Sequence, residues 1–304
     1  MYYIPSGIMH SIALEDLPLS DGTTLGQHYN FVRLTSAREI VKAHNRNEIN
    51  RTAALYGGLR YTLSSQKMEE ESRTYDKTDM AWLMRSEYGE SGFKDLCNTK
   101  DEVKKIGKTL KDNGFVVRTY LESKGNAESF VALSGNSPSI VHVATHGFYY
   151  TPDEAKDNNF LSGYTDAMSL SGLVFAGGNA AWLGKKKVDG VLGGVLTAKD
   201  IANLDFKGTD LMVLSACQTG QGKVTAEGVF GLQRAFKKAG VGTIIMSLWK
   251  VDDKVTSEFM TIFYGRLADK DNNWSKRKAF EEAKEIIRKE HPDPYYWAAF
   301  VMLD

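Results

Sequence analysis

Two short apolar runs, each ending abruptly at small and polar residues, constrain the fold of this chain more than any other feature. Residues 211–220 read LMVLSACQTG, and residues 139–150 read SIVHVATHGFYY. Such runs are typical of strands buried on both faces of a parallel sheet, whose carboxyl ends open into the crevices where ligands bind. Cys217 ends the first run, and His146 followed by Gly147 ends the second. If the two strands are neighbours, roughly 4.8 Å apart, a thiol nucleophile and its base can share one cleft.

The composition excludes several classes of protein. The chain has 304 residues, 42% of them hydrophobic, which is enough for a globular core. Its 38 Lys and Arg equal its 38 Asp and Glu, so the net charge gives no reason to expect nucleic acid or an anionic membrane as partner. We find no signal-peptide pattern and no run of eighteen apolar residues, and we therefore expect a cytoplasmic protein. Cys97 and Cys217 are too few for a disulfide framework or a structural zinc site, and we expect no metal or cofactor.

The order of patterns along the chain predicts a sheet with helical crossovers. Residues 1–50 are predicted to form a small appended β-rich subdomain, with a hairpin around Ser6 and Gly7, and residues 51–304 the main domain. Besides the two runs above, strands are predicted at residues 52–61, 115–121, 243–249 and 296–303. Helices are predicted at residues 99–114, 126–133, 196–204, 226–239 and 275–290. This alternation indicates an α/β fold with a mostly parallel six-stranded sheet and helices on both faces.

Three local features add detail to this prediction. Thr99 with Glu102 three residues later is the pattern of a capping box. Residues 66–91 are polar with little periodicity and are predicted to form a surface insertion. Residues 151–194 are glycine-rich with few large apolar side chains, and we predict a long irregular loop that is mobile or functional.

Four segments together resemble the CHAT domain, a caspase-like and separase-like cysteine peptidase family often attached to tetratricopeptide repeats. They are HVATHG, LSACQTG, EGVFGLQRAFKKAG and IIMSLWKVDD, and the similarity runs from about Leu55 to the carboxyl end. The resemblance implies a caspase-like α/β sheet, hydrolysis of peptide bonds and a catalytic dyad. By position, His146 of THG is the base and Cys217 of SACQTG the nucleophile.

The chemistry of these residue types agrees with that dyad. A free thiol titrates near ~8.5 and needs a neighbouring imidazole to become a thiolate at neutral pH. Gly147 is expected to allow a tight turn, and its amide with that of Cys217 could hold the tetrahedral oxyanion, each such donor being worth ~100- to 1000-fold in rate. The resemblance places the oxyanion hole there too. No third, orienting carboxylate is evident, and we expect either dyad side chain to be removable with little loss of core.

Several motifs have plainer explanations. Cys217 could be a structural core cysteine, but its place at a polar break opposite His146 favours the nucleophile. Cys97 is interpreted as a core or surface residue, and His142 as a hydrogen-bonded histidine within the sheet. The stretch TGQGKVT lacks the first glycine and the hydroxyl residue of a phosphate loop, so we exclude a nucleotide site.

Asp252 and Asp253 follow Trp249 and have two interpretations, as carboxylates at a helix start or as substrate-binding residues. Both can stabilise the start of the next helix. By resemblance, Asp253 matches the acid of a W-x-V-x-D element that lies near the pocket for a basic residue preceding the cut in separase-like relatives. Glu227 matches the family's E-G element, although a carboxylate at a helix start explains it equally well.

Three functions therefore stay open. The first is an endopeptidase that acts on a specific protein or peptide substrate. A regulatory partner or a tetratricopeptide-repeat sensor would activate it. Family context would place such an enzyme in bacterial signalling or defence. The second is a catalytically silent caspase-like scaffold or interaction module. The third is a thiol-dependent amidohydrolase of small molecules. The presence of both Cys217 and His146 favours the first.

Overall fold

The computed structural model describes residues 1–41, 50–75, 92–157, 160–161, 163–184, 189–215 and 226–304. The strands in these ranges are β1 (Tyr2–Tyr3), β2 (Val32–Arg33), β3 (Thr52–Leu59), β4 (Val116–Glu122), β5 (Ile140–Val143), β6 (His146–Tyr149), β7 (Ser171–Val174), β8 (Val195–Thr197), β9 (Leu211–Leu214), β10 (Thr243–Ser247) and β11 (Phe300–Leu303). The helices are α1 (Leu25–His28), α2 (Arg38–Val41), α3 (Ser65–Ser72), α4 (Cys97–Asp112), α5 (Ala127–Val131), α6 (Gly178–Trp182), α7 (Ala198–Ile201), α8 (Ala226–Lys238), α9 (Asp253–Leu267), α10 (Lys276–Glu290) and α11 (Pro294–Trp297).

One eight-stranded sheet forms the centre of the described structure. Its strand order is β1-β2-β11-β10-β9-β5-β3-β4, and all neighbours run parallel except β10 and β11. The other three strands form a small antiparallel sheet in the order β6-β7-β8. The predicted class, a mostly parallel α/β sheet, is confirmed. The central sheet has eight described strands rather than six, because β1 and β2 extend its edge beyond β11.

Helices cover both faces of the central sheet, as predicted. Successive side chains of a strand point to opposite faces. In β3, Ala54 and Tyr56 pack in one buried cluster with residues of α5, α7 and α8. Ala53 and Leu55, the alternate positions, pack in a second cluster with residues of α4, α9 and α10. The near-continuous apolar sequence of the central strands follows from this burial on both sides.

The amino-terminal segment differs from its prediction. Instead of a hairpin around Ser6 and Gly7, residues Gly7–Ser11 form a 3₁₀ helix in which the Met9 amide donates to the Ser6 carbonyl. Strand β1 pairs in parallel with β2, and β2 pairs with β11 at Arg33 opposite Leu303. The predicted hairpin is therefore wrong. The division into residues 1–50 and 51–304 stays a prediction.

The carboxyl-terminal strand β11 is shorter than predicted, and it runs antiparallel to β10. Pro294 begins helix α11, and the Asp293 carboxylate caps it by accepting from the Tyr295 amide. Proline fits the first turn of a helix because its missing N–H would have no helical partner there. The chain therefore enters β11 only at Phe300, rather than at residue 296.

Helix α4 begins at Cys97, before the predicted capping box at Thr99 and Glu102. The Thr99 hydroxyl donates to the Leu96 carbonyl and accepts from the Gly58 amide. The Glu102 side chain is buried and its Oε1 lies 2.8 Å from Nε2 of His142. The capping box is thus wrong, since both side chains bond to other elements. The interpretation of His142 as a hydrogen-bonded sheet histidine is confirmed.

We expect Glu102→Ala to lower the free energy of unfolding by about 3 kcal/mol, because it leaves His142 buried without its partner. The second ring nitrogen of His142 lies 3.3 Å from the Tyr264 hydroxyl, so the whole group is enclosed between the sheet and α9. Urea unfolding measures the loss. Glu258→Ala is the matched control, since it breaks a partly exposed pair with His291 at 3.2 Å and should cost below about 1 kcal/mol. Equal losses in the two variants would contradict this account.

The described part of residues 151–194 is packed rather than irregular. It contains β7 and α6, and it places Phe175 and Trp182 fully inside the larger buried cluster. The expectation that this segment has few apolar anchors is therefore wrong. The predicted insertion, residues 66–91, begins with helix α3 in the structure. Residues 76–91 of it lie outside the described ranges.

Candidate active site

The two apolar runs of the sequence form neighbouring parallel strands. Val143 at the end of β5 lies opposite Leu214 at the end of β9. His146 follows Val143 by three residues, and Cys217 follows Leu214 by three residues in the sequence. The predicted adjacency of the two strands is confirmed. Cys217 itself, with residues 216–225, lies outside the described residues.

The chain leaves the central sheet between Val143 and His146. The sequence predicted one strand over residues 139–150, but the structure divides it into β5 and β6, which belong to different sheets. His146 is the first residue of β6 and pairs with Val174 of β7. The imidazole therefore lies where the two sheets separate.

His146 is buried, with 4% of its surface exposed. Its imidazole contacts two aromatic rings, that of Tyr61 at 4.7 Å and that of Phe93 at 5.2 Å between centroids. The expectation that His146 could be truncated with little loss of core is therefore wrong. These rings restrict the imidazole to one orientation.

A backbone carbonyl fixes the protonation of that imidazole. Nε2 of His146 lies 2.7 Å from the Lys94 carbonyl oxygen. Because a carbonyl oxygen only accepts, Nε2 carries the proton and donates, and in the neutral ring Nδ1 holds the lone pair. The Lys94 carbonyl thus orients the imidazole, as a third side chain does in a catalytic triad. No sequence pattern could have identified this acceptor, because every residue has a carbonyl group.

Burial lowers the pKa of His146 below its usual value of 6.5, and the charge of Lys250 adds to this effect. The hydrogen bond to the Lys94 carbonyl and the carboxylate of Asp95 act in the opposite direction, but burial is the largest cause. The imidazole is therefore neutral at pH 7 and able to accept a proton.

Tyr61 also packs on the imidazole. Its hydroxyl lies 2.9 Å from the Thr145 hydroxyl, which in turn donates to the Val174 carbonyl. Its backbone amide donates to Oδ1 of Asp95 at 3.2 Å. Burial is the largest cause of a raised pKa of the Tyr61 phenol, so this side chain stays protonated and acts as a packing surface.

Gly147 lies within β6, opposite Leu173 of β7. Its φ is not in the left-handed region, so the expected tight turn at this glycine is wrong. In an antiparallel ladder the hydrogen-bonded pairs alternate. Since the Tyr150 amide donates to the Leu170 carbonyl, the pair at Gly147 is a non-hydrogen-bonded one. The Gly147 N–H therefore points away from β7.

Asp252 and Asp253 have different roles in the structure. Oδ1 of Asp252 accepts from the amides of Lys254 at 2.9 Å and Val255 at 3.3 Å, so Asp252 is the N-cap of α9. Asp253 is the first helical residue and is partly buried; burial is the main reason for its raised pKa, followed by the Asp252 carboxylate.

The remaining candidate residues divide as follows. Cys97 is exposed at the start of α4, which confirms a surface cysteine. Nothing is described of the Glu227 side chain. Among the described residues, Glu258, Glu290 and His291 bring three possible metal-ligand atoms within 4.8 Å of one another, a group that includes the His291–Glu258 pair. No described helix is both long and apolar enough to cross a membrane.

The sequence also matches a protein-family model over nearly its whole length. The family model described as "CHAT domain" matches residues 2–304. The chain belongs to the CHAT domain family, which confirms the resemblance found in the sequence. Membership supports a cysteine-peptidase-like function.

Known proteins show two further similarities. Tetratricopeptide repeat protein 28 of Homo sapiens is 34% identical over 111 residues, which are 36% of this chain and 4% of that protein, and its Mus musculus counterpart is 32% identical over the same length. The match thus spans a small part of these relatives, whose names fit a tetratricopeptide-repeat context. The structure of the complex of Porphyromonas gingivalis RgpB pro- and mature domains has a TM-score of 0.50 at 11% identity, covering 94% of this chain and 60% of that one. That likeness concerns the fold.

Proposed function

We propose that this chain is a cysteine endopeptidase in which Cys217 is the nucleophile and His146 the base. One observation carries the proposal: β5 and β9 pair in a register that puts Val143 opposite Leu214, and the two candidate residues follow these positions at the same distance in sequence. Membership in the CHAT domain family supports the same pair. The experiment that tests it is a comparison of new protein termini produced across a proteome by the wild type and by Cys217→Ala.

In the proposed reaction, Nδ1 of His146 takes the thiol proton while the Cys217 sulfur attacks the scissile carbonyl carbon. Nε2 keeps its bond to the Lys94 carbonyl throughout, which supports the imidazolium that forms. The tetrahedral oxyanion is held by the amides of Gly147 and Cys217, and the direction of the Gly147 N–H away from β7 supports this assignment. His146 then gives its proton to the leaving amine, and water hydrolyses the thioester.

A partner is part of the proposal. The relatives named for tetratricopeptide repeats support a regulatory partner protein or a repeat sensor acting on the peptidase. A role in bacterial signalling or defence and a cytoplasmic location remain predictions from the sequence. The alternatives are a silent scaffold and a small-molecule amidohydrolase; a buried, oriented and neutral His146 favours an enzyme over the scaffold.

We further propose Asp253 as the acid that selects Arg or Lys before the scissile bond. A partly buried carboxylate at the start of α9 could pair with a guanidinium by charge-assisted hydrogen bonds. Such bonds are worth about 1.5–3 kcal/mol, so Asp253→Asn should lower kcat/KM for an Arg substrate about 10- to 100-fold. Peptides with Arg, Lys, Met, Leu or Asp before the cut measure the preference.

Asp252→Asn is the matched control for this prediction. Asparagine caps helices as well as aspartate does, so this variant removes a neighbouring charge while keeping the cap of α9. We expect it to keep the preference for basic residues, and this outcome would assign Asp252 to capping alone rather than to substrate binding. A wild-type preference for Asp or for apolar residues would reject the specificity proposal.

A further inference from the structure

Asn179 in α6 is a buried amide with a complete set of partners. It is 3% exposed, and its Oδ1 accepts from the Phe93 amide at 2.6 Å. Its Nδ2 donates to the Phe93 carbonyl and to the Thr62 hydroxyl, both at 2.9 Å. Its backbone amide donates to the Tyr61 carbonyl at 3.0 Å. One residue thus joins α6 to the end of β3 and to the segment 92–96.

The segment 92–96 supplies three contacts of the His146 site. The Phe93 ring packs on the imidazole, the Lys94 carbonyl accepts from Nε2, and the Asp95 carboxylate accepts from the Tyr61 amide. The segment has no regular secondary structure. Because no helix or sheet ladder fixes its backbone, the segment depends on side-chain contacts, and the two bonds from Asn179 hold the backbone of Phe93, the residue before Lys94.

Gly92 allows the close approach of this amide. A Cβ at position 92 would lie 2.9 Å from the side-chain atoms of Asn179. Carbon atoms are not tolerated at that distance, so any larger residue would push the segment and the amide apart. The backbone of the segment and the side chain of Asn179 are therefore fitted to one another.

We propose that Asn179 is a positioning residue, which sets the orientation of His146 by holding residues 92–96 against the imidazole. This inference rests on the proposed Cys217–His146 dyad for its effect on catalysis. The physical reason is that a base displaced by about 1 Å can lose ~100-fold in rate. Loss of the amide frees the Lys94 carbonyl to move, and the imidazole then loses both its hydrogen bond and its packing on Phe93.

The test combines catalysis with a direct observation of the histidine in the full chain. Asn179→Ala removes the amide, and Gly92→Ala displaces it while leaving Asn179 present. In both variants we expect kcat to fall about 10- to 100-fold with a smaller change in KM. In NMR of ¹⁵N-histidine-labelled protein, the wild type should show a single Nε2–H tautomer of His146. The variants should show a mixture, and a pKa that rises toward 6.5 as burial is lost.

Asn126→Ala is the matched control, since Asn126 is also a buried amide but caps α5 through the Ser129 amide. It should cost about 1 kcal/mol of stability and leave the His146 titration unchanged. Thr62→Val removes a single hydrogen-bond acceptor of Asn179 and leaves its bonds to Phe93. This milder variant keeps the test decisive if Asn179→Ala and Gly92→Ala fail to fold. An unchanged tautomer and pKa of His146 in every folded variant would overturn the inference. If the wild type cleaves no peptide while the variants still alter the His146 titration, the dyad fails and the positioning role stands.

Discussion

We expect Cys217→Ala to reduce peptide cleavage to the uncatalysed background, because the proposed reaction needs this thiol to form the acyl intermediate. The measurement is the release of a fluorophore from a peptide substrate by the full chain, with its activating partner once that is known. Turnover by Cys217→Ala equal to that of the wild type would end the assignment.

Cys97→Ala is the control for this result. Cys97 is the chain's other cysteine, and it is exposed at the start of α4. Its loss should leave kcat and KM unchanged. A loss of activity in Cys97→Ala with normal activity in Cys217→Ala would assign the nucleophile to Cys97 and contradict the account.

His146→Asn should lower kcat/KM about 10²- to 10⁴-fold, the usual contribution of a general base. Asparagine is preferred to alanine here because His146 is buried against Tyr61 and Phe93, and a truncated side chain would leave a cavity. The asparagine side chain fills part of the space of the imidazole but cannot take a proton. Thermal unfolding checks that the variant is folded at the assay temperature.

The pH dependence of the wild type gives a second measurement of the same residue. Catalysis needs neutral His146, and burial lowers its pKa, so the neutral form persists to a lower pH than in an exposed histidine. Activity is therefore lost as the pH falls through a value below 6.5, and this acid limb should be absent from the residual activity of His146→Asn. An acid limb at or above 6.5 in kcat/KM would contradict the buried, neutral base.

The sequence was sufficient for features that depend on local patterns. Apolar runs predicted β5 and β9, and local patterns predicted helices over residues 99–114 and 226–239, where the structure has α4 and α8. These elements follow from burial and from backbone preferences that a few residues determine. The resemblance to the CHAT domain family rested on four segments and is confirmed over residues 2–304.

The features that the sequence missed depend on contacts between distant segments. The Lys94 carbonyl is 52 residues from His146, and Asn179 is 86 residues from Phe93. A backbone acceptor has no residue type of its own, and an asparagine in a short helix resembles many surface asparagines. Glu102 shows the opposite error: its spacing from Thr99 matched a capping box, but the buried His142 offered a partner inside the fold.

The central claim is that Cys217 is a nucleophile activated by His146, and its most direct test is covalent labelling by a peptidyl ketone electrophile. Mass spectrometry of the digested protein locates the label, and Cys97 serves as an exposed reference thiol in the same chain. We expect one label per chain on Cys217 in the wild type, with Cys97 unmodified, and labelling of Cys217 slowed at least ~100-fold in His146→Asn. Labelling of Cys97 alone, or labelling of Cys217 at the same rate in wild type and His146→Asn, would contradict the claim.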